Sequence, residues 1–430
     1  MRKLSLLYLL LTLSFQVFTQ FSSLEKKLFE LPDVIFSPVE VPAGFEAAYE
    51  LAIRQPIDHN DHQKGYFYQK VFLSHRGYDR PVVFVTEGYE QHGIYPNELT
   101  SLLNANQIEV EHRFFGVSIP DSPENKYDYL NIEQEAADLH YINRLMKEIY
   151  NGKWISTGIS KGGQNSIFYR YFFPLDVDVT IPYVAPLNLA LGDERIYKFF
   201  DTVNTAECRN KIREFQIRLL KERNNILPLL KWYSKGKDLK FTYLTFEQAF
   251  EYTVLEYAFS FWQWGHKCIE IPPENSSLEE AAIHLLKVSD IDFFADETMK
   301  KFESHYYQAA REVGYYSYRT DEFRGLLKSL PMEPYPSAIF TPGKMEVEYN
   351  STISKKVFDW TQNSGNYMIY IYGAGDTWSA TSVPPASRTN SLWIFLNGAH
   401  HGSARVKNMT SSQREMFINT LEGWLDLDLE

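Results

Sequence analysis

Short runs of apolar residues open the chain and longer, helically spaced ones follow. Residues 66–73, 81–86 and 107–111 are short apolar or alternating stretches and predict strands. Residues 131–150 repeat apolar positions at Ile132, Ala136, Leu139, Ile142 and Met146, the spacing of one helix face. Glu133 and Glu135 suit the start of that helix. A strand at 154–158, a helix at 164–173 and a strand at 179–184 come next. Strand alternating with helix predicts a parallel, doubly wound sheet. From about residue 189 to 330 helical spacing dominates, at 211–232, 246–264, 278–288 and 296–313. Strand character returns at 338–341, 367–372 and 392–396, and an amphipathic helix spans 411–425. The expected organisation is an α/β sheet in two parts, 20–189 and 336–430, with a helical insertion over 190–335 as a lid.

Residues 1–19 change the picture at the N-terminus. Arg2 and Lys3 precede a compact apolar stretch from Leu4 to Phe18, shorter than the ~20 residues a membrane span needs. This reads as an export signal cut near Thr19–Gln20, with an uncleaved anchor as the alternative. No other stretch is apolar enough to span a bilayer. The chain is thus expected to be secreted or periplasmic. Cys208 and Cys268 are the two cysteines; a disulfide and two free thiols both fit their spacing. Asn275, Asn350 and Asn408 begin glycosylation sequons.

Over 430 residues, aromatics reach 16%, enough for a large aromatic core or an aromatic cleft. The formal charge is −12 with no basic run, which gives nucleic-acid binding no support. No cluster with metal-ligand spacing is present, so neither metal nor cofactor is expected.

The chemistry centres on Gly158-Ile-Ser-Lys-Gly162, between a predicted strand and a predicted helix. That context is a nucleophile elbow, and it makes Ser160 the candidate nucleophile of an α/β-hydrolase. The N–H of Lys161 can face a developing oxyanion. Later strands should bring an acid and then a base. Asp376 follows the strand at 367–372, and His400 and His401 follow the strand at 392–396. The loop after the strand at 81–86 offers Gly88 or Tyr89 as a second oxyanion donor. Glu87 and Glu90, in the same loop, are candidates for binding a substrate amine. Glu111 and Arg113 can pair and brace the cleft, and His112 is expected to be structural.

Several strings occur together in one order: Gln55-Pro-Ile-Asp-His59, Glu87-Gly88, Glu111-His-Arg-Phe-Phe-Gly116, Gly158-Ile-Ser-Lys-Gly-Gly163, Phe261-Trp-Gln-Trp-Gly265, Gly375-Asp-Thr-Trp-Ser379 and Gly398-Ala-His-His401. Through them the chain resembles the bacterial secreted tripeptidyl aminopeptidase family of serine peptidases. It is also similar to the prolyl carboxypeptidase and dipeptidyl peptidase II family. The resemblance implies a Ser160, Asp376 and His triad, with His400 favoured over His401. It also implies a helical cap, peptide substrates cut near the N-terminus, and frequent preference for Pro at the cleaved position. Tyr89 stands where the dipeptidyl relatives carry their amine-binding carboxylate, so tri- and dipeptide release both stay open. Rival readings are an ester hydrolase with the same triad and a binding protein on this scaffold.

Overall fold

A computed structural model describes residues 22–121, 127–332 and 339–429. The expected export segment lies outside them. Among the described residues nine strands form one sheet in the order β1-β2-β3-β5-β4-β6-β7-β8-β9. They are β1 Val34–Pro38, β2 Ala47–Pro56, β3 Tyr66–His75, β4 Val82–Thr86, β5 Asn106–Val110, β6 Trp154–Ile159, β7 Val179–Tyr183, β8 Ile369–Gly373 and β9 Leu392–Leu396. The pairs from β1 to β5 are antiparallel, and those from β5 through β4 to β9 are parallel.

All five residues of β4 are buried, as they must be in a parallel strand covered on both faces. Alternate side chains serve opposite cores. Val82 and Phe84 pack with Leu139, Ile142 and Met146 of helix Ile132–Lys147 and with Leu24 and Leu28 of helix Ser23–Glu30. Val83 and Val85 pack with Phe417, Leu421 and Leu425 of helix Ser411–Leu425. Strand order reverses at β4, with β5 on one side and β6 on the other. The loops leaving β4 and β6 therefore open onto a crevice at the carboxyl edge of the sheet, where ligands bind in such folds. This is the α/β-hydrolase arrangement.

Between β7 and β8 the described chain is mainly helical. Phe246–Gln263 is its longest helix, opened by a capping box between Thr245 and Gln248. Three expectations here need correction. The helix expected over 211–232 is two, Ala206–Lys221 and Arg223–Gly236, because Glu222 leaves helical geometry. The helix expected over 296–313 breaks into Asp296–Lys301, Glu303–Gln308 and the π-turn Ala309–Val313. The strand expected at 338–341 does not form over Ile339–Thr341. Phe340 is instead drawn into an aromatic cluster with Tyr252, Phe294 and Tyr306, at centroid distances of 5.0–6.0 Å. That burial outweighs its strand propensity.

Cys208 and Cys268 are bonded, with a Cα–Cα distance of 5.5 Å. The bond ties helix Ala206–Lys221 to the turn Cys268–Glu270, just past the end of Phe246–Gln263. All three sequon asparagines are exposed.

Candidate active site

Ser160 sits between β6 and helix Lys161–Phe172 with φ 58° and ψ −123°. A non-glycine residue there carries strain of about 1–3 kcal/mol, which its surroundings must impose. Ser160 N–H donates to Tyr183 O at 2.9 Å, and Ser160 O accepts from Gln164 N–H at 2.9 Å. Gly158 lets the turn close: a Cβ there would lie 2.3 Å from the Gly162 carbonyl and 2.6 Å from Thr86 O. Thr86 Oγ1 donates to Gly162 O at 2.7 Å and stitches the end of β4 to the elbow.

Gly88 follows directly. A Cβ on it would meet Lys161 Cβ at 2.6 Å and Gly162 N at 2.9 Å. The backbone of the β4 loop thus lies beside the first N–H groups of the helix, which have no partner inside the helix. Asn165 Nδ2 fixes that loop by donating to Glu87 O at 2.8 Å.

Asp376 is fully buried after β8 and accepts from Trp378 N–H at 3.2 Å. Its Oδ2 lies 2.7 Å from His401 Nδ1. That bond assigns the Nδ1 proton and leaves Nε2 as the basic atom of the ring. His401 is held further by its N–H, which donates to Gln263 O at 3.0 Å, and by the edge of Trp264, 5.9 Å away between centroids. The preference for His400 therefore meets a different geometry. The His400 ring packs against Gly265, and its Nδ1 accepts from Gly402 N–H at 3.3 Å. Both histidines lean on the Phe261-Trp-Gln-Trp-Gly265 string, which explains that motif as the bed of the histidine loop.

Ser160 and His401 line one cavity of about 780 Å³ under the helical insertion. Phe259, Tyr315, Tyr316 and Trp378 form an aromatic wall in it. Phe259 stacks on Tyr316 at 3.9 Å, and Trp378 meets Phe259 at 5.0 Å. Sequence reasoning missed Tyr315, Tyr316 and the cavity glutamate Glu256. The signal for Glu256 was an acid set between Val254-Leu255 and Tyr257-Ala258-Phe259.

Of the loop acids, Glu90 lines the cavity, with His92 at 3.5 Å and Lys301 at 4.0 Å. Glu87 is absent from its described lining. Burial pushes the Glu87 carboxyl up to about 7. Tyr89 lines the cavity against Phe115, Phe302 and His305. Lys161 turns its side chain inward, Nζ lying 2.7 Å from His112 Nε2. Burial pulls Lys161 down to about 8, partly offset by Glu135 and Glu312. Glu135 Oε1 lies 3.0 Å from the same His112 nitrogen. Burial raises the Glu135 carboxyl, but His112 and Lys161 more than offset it and bring it to about 2. Glu135 is thus a buried brace below the elbow as well as an acid in its helix's first turn.

The expected Glu111–Arg113 pair does not form. Arg113 forks onto both oxygens of Asp138 at 2.6 and 2.7 Å, while Glu111 faces Lys70 at 2.7 Å. His59 also reaches Asp138, at 2.7 Å, so the Gln55–His59 string serves the same brace.

Glu109 on β5 is buried, and its Oε2 accepts no hydrogen bond from the described residues. Burial first, and Glu87 second, push its carboxyl up to about 8. A carboxyl whose folded pKa is raised contributes stability that is full below its unfolded value and is lost as pH rises through about 8. Glu109→Gln removes that loss. Urea denaturation of the variant should show little gain at pH 5 and a gain of roughly 3 kcal/mol at pH 8.5. Equal midpoints for variant and parent at pH 8.5 would refute the ionisation cost.

Proline iminopeptidase of Mycobacterium smegmatis is similar over 87% of this chain and 98% of its own, at 11% identity and a TM-score of 0.40. Acetyl xylan esterase 1 of Thermoanaerobacterium sp. JW/SL YS485 is similar over 93% and 91%, at 10% identity and a TM-score of 0.37. The prolyl tri/tetrapeptidyl aminopeptidase of Streptomyces mobaraensis is 28% identical over 401 residues, 91% of this chain and 83% of that one. The profile of the PS-10 peptidase S37 family matches residues 23–425, and the chain belongs to this family of serine peptidases.

Proposed function

We propose that the protein is an exported aminopeptidase that releases short peptides, of two or three residues, from the N-terminus of its substrates. Ser160 is the nucleophile, His401 the base and Asp376 its orienting acid. The observation that carries this assignment is the 2.7 Å contact between His401 and Asp376 in the cavity that Ser160 also lines. Ser160 Oγ attacks the scissile carbonyl as His401 Nε2 takes its proton. The N–H groups of Lys161 and of Gly88 or Tyr89 stabilise the oxyanion. His401 protonates the leaving amine, and water releases the acyl peptide by the reverse proton path.

Preference for Pro at the cleaved position fits the aromatic wall beside Ser160. A pyrrolidine ring is compact and apolar and packs well on Phe259, Tyr316 and Trp378. The insertion over 190–335 serves as a cap that admits chain ends. Export is supported by the signal-like residues 1–19 and by the Cys208–Cys268 bond, which belongs in an oxidising compartment. Among the described residues no helix is long and apolar enough to cross a membrane.

Mass spectrometry of products from an unblocked peptide library tests the reading. Di- or tripeptides from the N-terminus are expected, enriched in Pro at their last residue. Internal cuts, or turnover of short-chain esters alone, would overturn it.

A further inference from the structure

Helix Phe246–Gln263 carries two deeply buried glutamates. Glu251 has a clear structural task. It pairs with Arg223 and accepts the N–H groups of Lys328, Ser329 and Leu330. Glu256 is different. Its Oε2 accepts from the hydroxyls of Tyr316 and Tyr318, both at 2.6 Å, and its Oε1 accepts from Ser260 at 2.9 Å. All three donors are neutral. Among the described residues no Lys, Arg or His comes within 4.0 Å of it. Yet Glu256, only 6% exposed, lines the cavity that holds Ser160 and His401.

A carboxylate in such a place is costly unless a cation joins it. Burial accordingly pushes the Glu256 carboxyl up to about 7, against the lowering effect of its three hydroxyl donors. The other cavity acids already have cations nearby. Glu90 has His92 and Lys301, and Asp290 has Lys237 at 3.8 Å. Among the described residues Glu256 has no such partner.

We propose that Glu256 receives the α-ammonium group of the substrate. This rests on the aminopeptidase reading above, and it assigns the amine to Glu256 rather than to Glu87 or Glu90. The two tyrosine hydroxyls hold the carboxylate in place and leave lone pairs for the ammonium protons. The rings of Tyr315 and Trp378 face the same space and favour a cation there. A peptide blocked at its N-terminus would bury Glu256 without a partner.

The test compares Ala-Ala-Pro-4-nitroanilide with its N-acetylated form. The parent protein should prefer the free amine by about 100-fold or more in kcat/KM. E256Q should lose about 100-fold on the free amine, mostly through KM, and retain less than a fivefold preference. Fluorophosphonate labelling of Ser160 reports whether E256Q keeps its active site. If that variant does not label, E256D serves instead, with the preference expected to fall about tenfold because the shorter side chain withdraws the charge. A preference unchanged in the labelled variant, or equal loss on both substrates, overturns the assignment. A parent protein that cuts both substrates equally overturns the aminopeptidase reading itself, before any variant is made.

Discussion

His401→Ala is expected to lower kcat/KM for peptide amides by about 10⁵-fold, while His400→Ala lowers it by no more than about tenfold. The asymmetry follows from one bond. Asp376 Oδ2 is 2.7 Å from His401 Nδ1, so this imidazole has a fixed tautomer and a buried anion to balance the charge it gains. His400 has a peptide N–H on its own Nδ1 and a pKa lowered chiefly by burial, with Asp376 partly offsetting it. Its loss loosens the loop without removing the base. Steady-state kinetics on one chromogenic tripeptide substrate decide the matter. A large loss in His400→Ala together with near-parent activity in His401→Ala would reverse the assignment.

Gly158→Ala is expected to be the most damaging small substitution. The added carbon would overlap the Gly162 carbonyl at 2.3 Å and Thr86 O at 2.6 Å, and every one of those atoms is backbone. No side-chain rotation relieves it, so β6 must separate from β4 or the elbow must open. Overpacking of this kind costs about 3 kcal/mol. Displacement of the Ser160 oxygen and of the Lys161 N–H should cost activity on the order of 10³-fold more. Thermal melting and kcat measured on the same sample separate the two effects. A variant with the parent's melting midpoint and turnover would mean that the turn is not closed as described.

Much of this arrangement was legible in the sequence because local chemistry wrote it there. Gly158-x-Ser160-x-Gly162 between an apolar strand and a helix fixes an elbow, since only small residues allow the contacts at Thr86 and Gly162. The strands ending before Asp376 and before the histidine pair were short, apolar and unambiguous. What stayed hidden depends on contacts distant in sequence. Which histidine meets Asp376 is decided by the Gln263 carbonyl and the rings of the insertion, more than a hundred residues before the loop they hold. Arg113 forks onto Asp138, while both oxygens of its near neighbour Glu111 are taken by Lys70, by the N–H groups of Gln91, Val117 and Ser118 and by the Ser118 hydroxyl. Strand β2 was not among the expected strands although Tyr49, Leu51 and Ile53 are buried in alternation with Glu50, Ala52 and Arg54, a period of two that was there to be read. Phe340 looked like strand and became core. Glu256 could be seen as an acid in an apolar helix, but nothing local separates it from Glu251, which has a structural partner.

The central claim is that Ser160 is the reactive nucleophile and that His401 activates it. Labelling with a fluorophosphonate probe, digestion and mapping of the modified peptide by mass spectrometry test both parts at once. One adduct on Ser160 is predicted, forming at the parent rate in His400→Ala and slowed by several orders of magnitude in His401→Ala. An adduct on any other residue, or labelling of Ser160 at full rate without His401, would contradict the account.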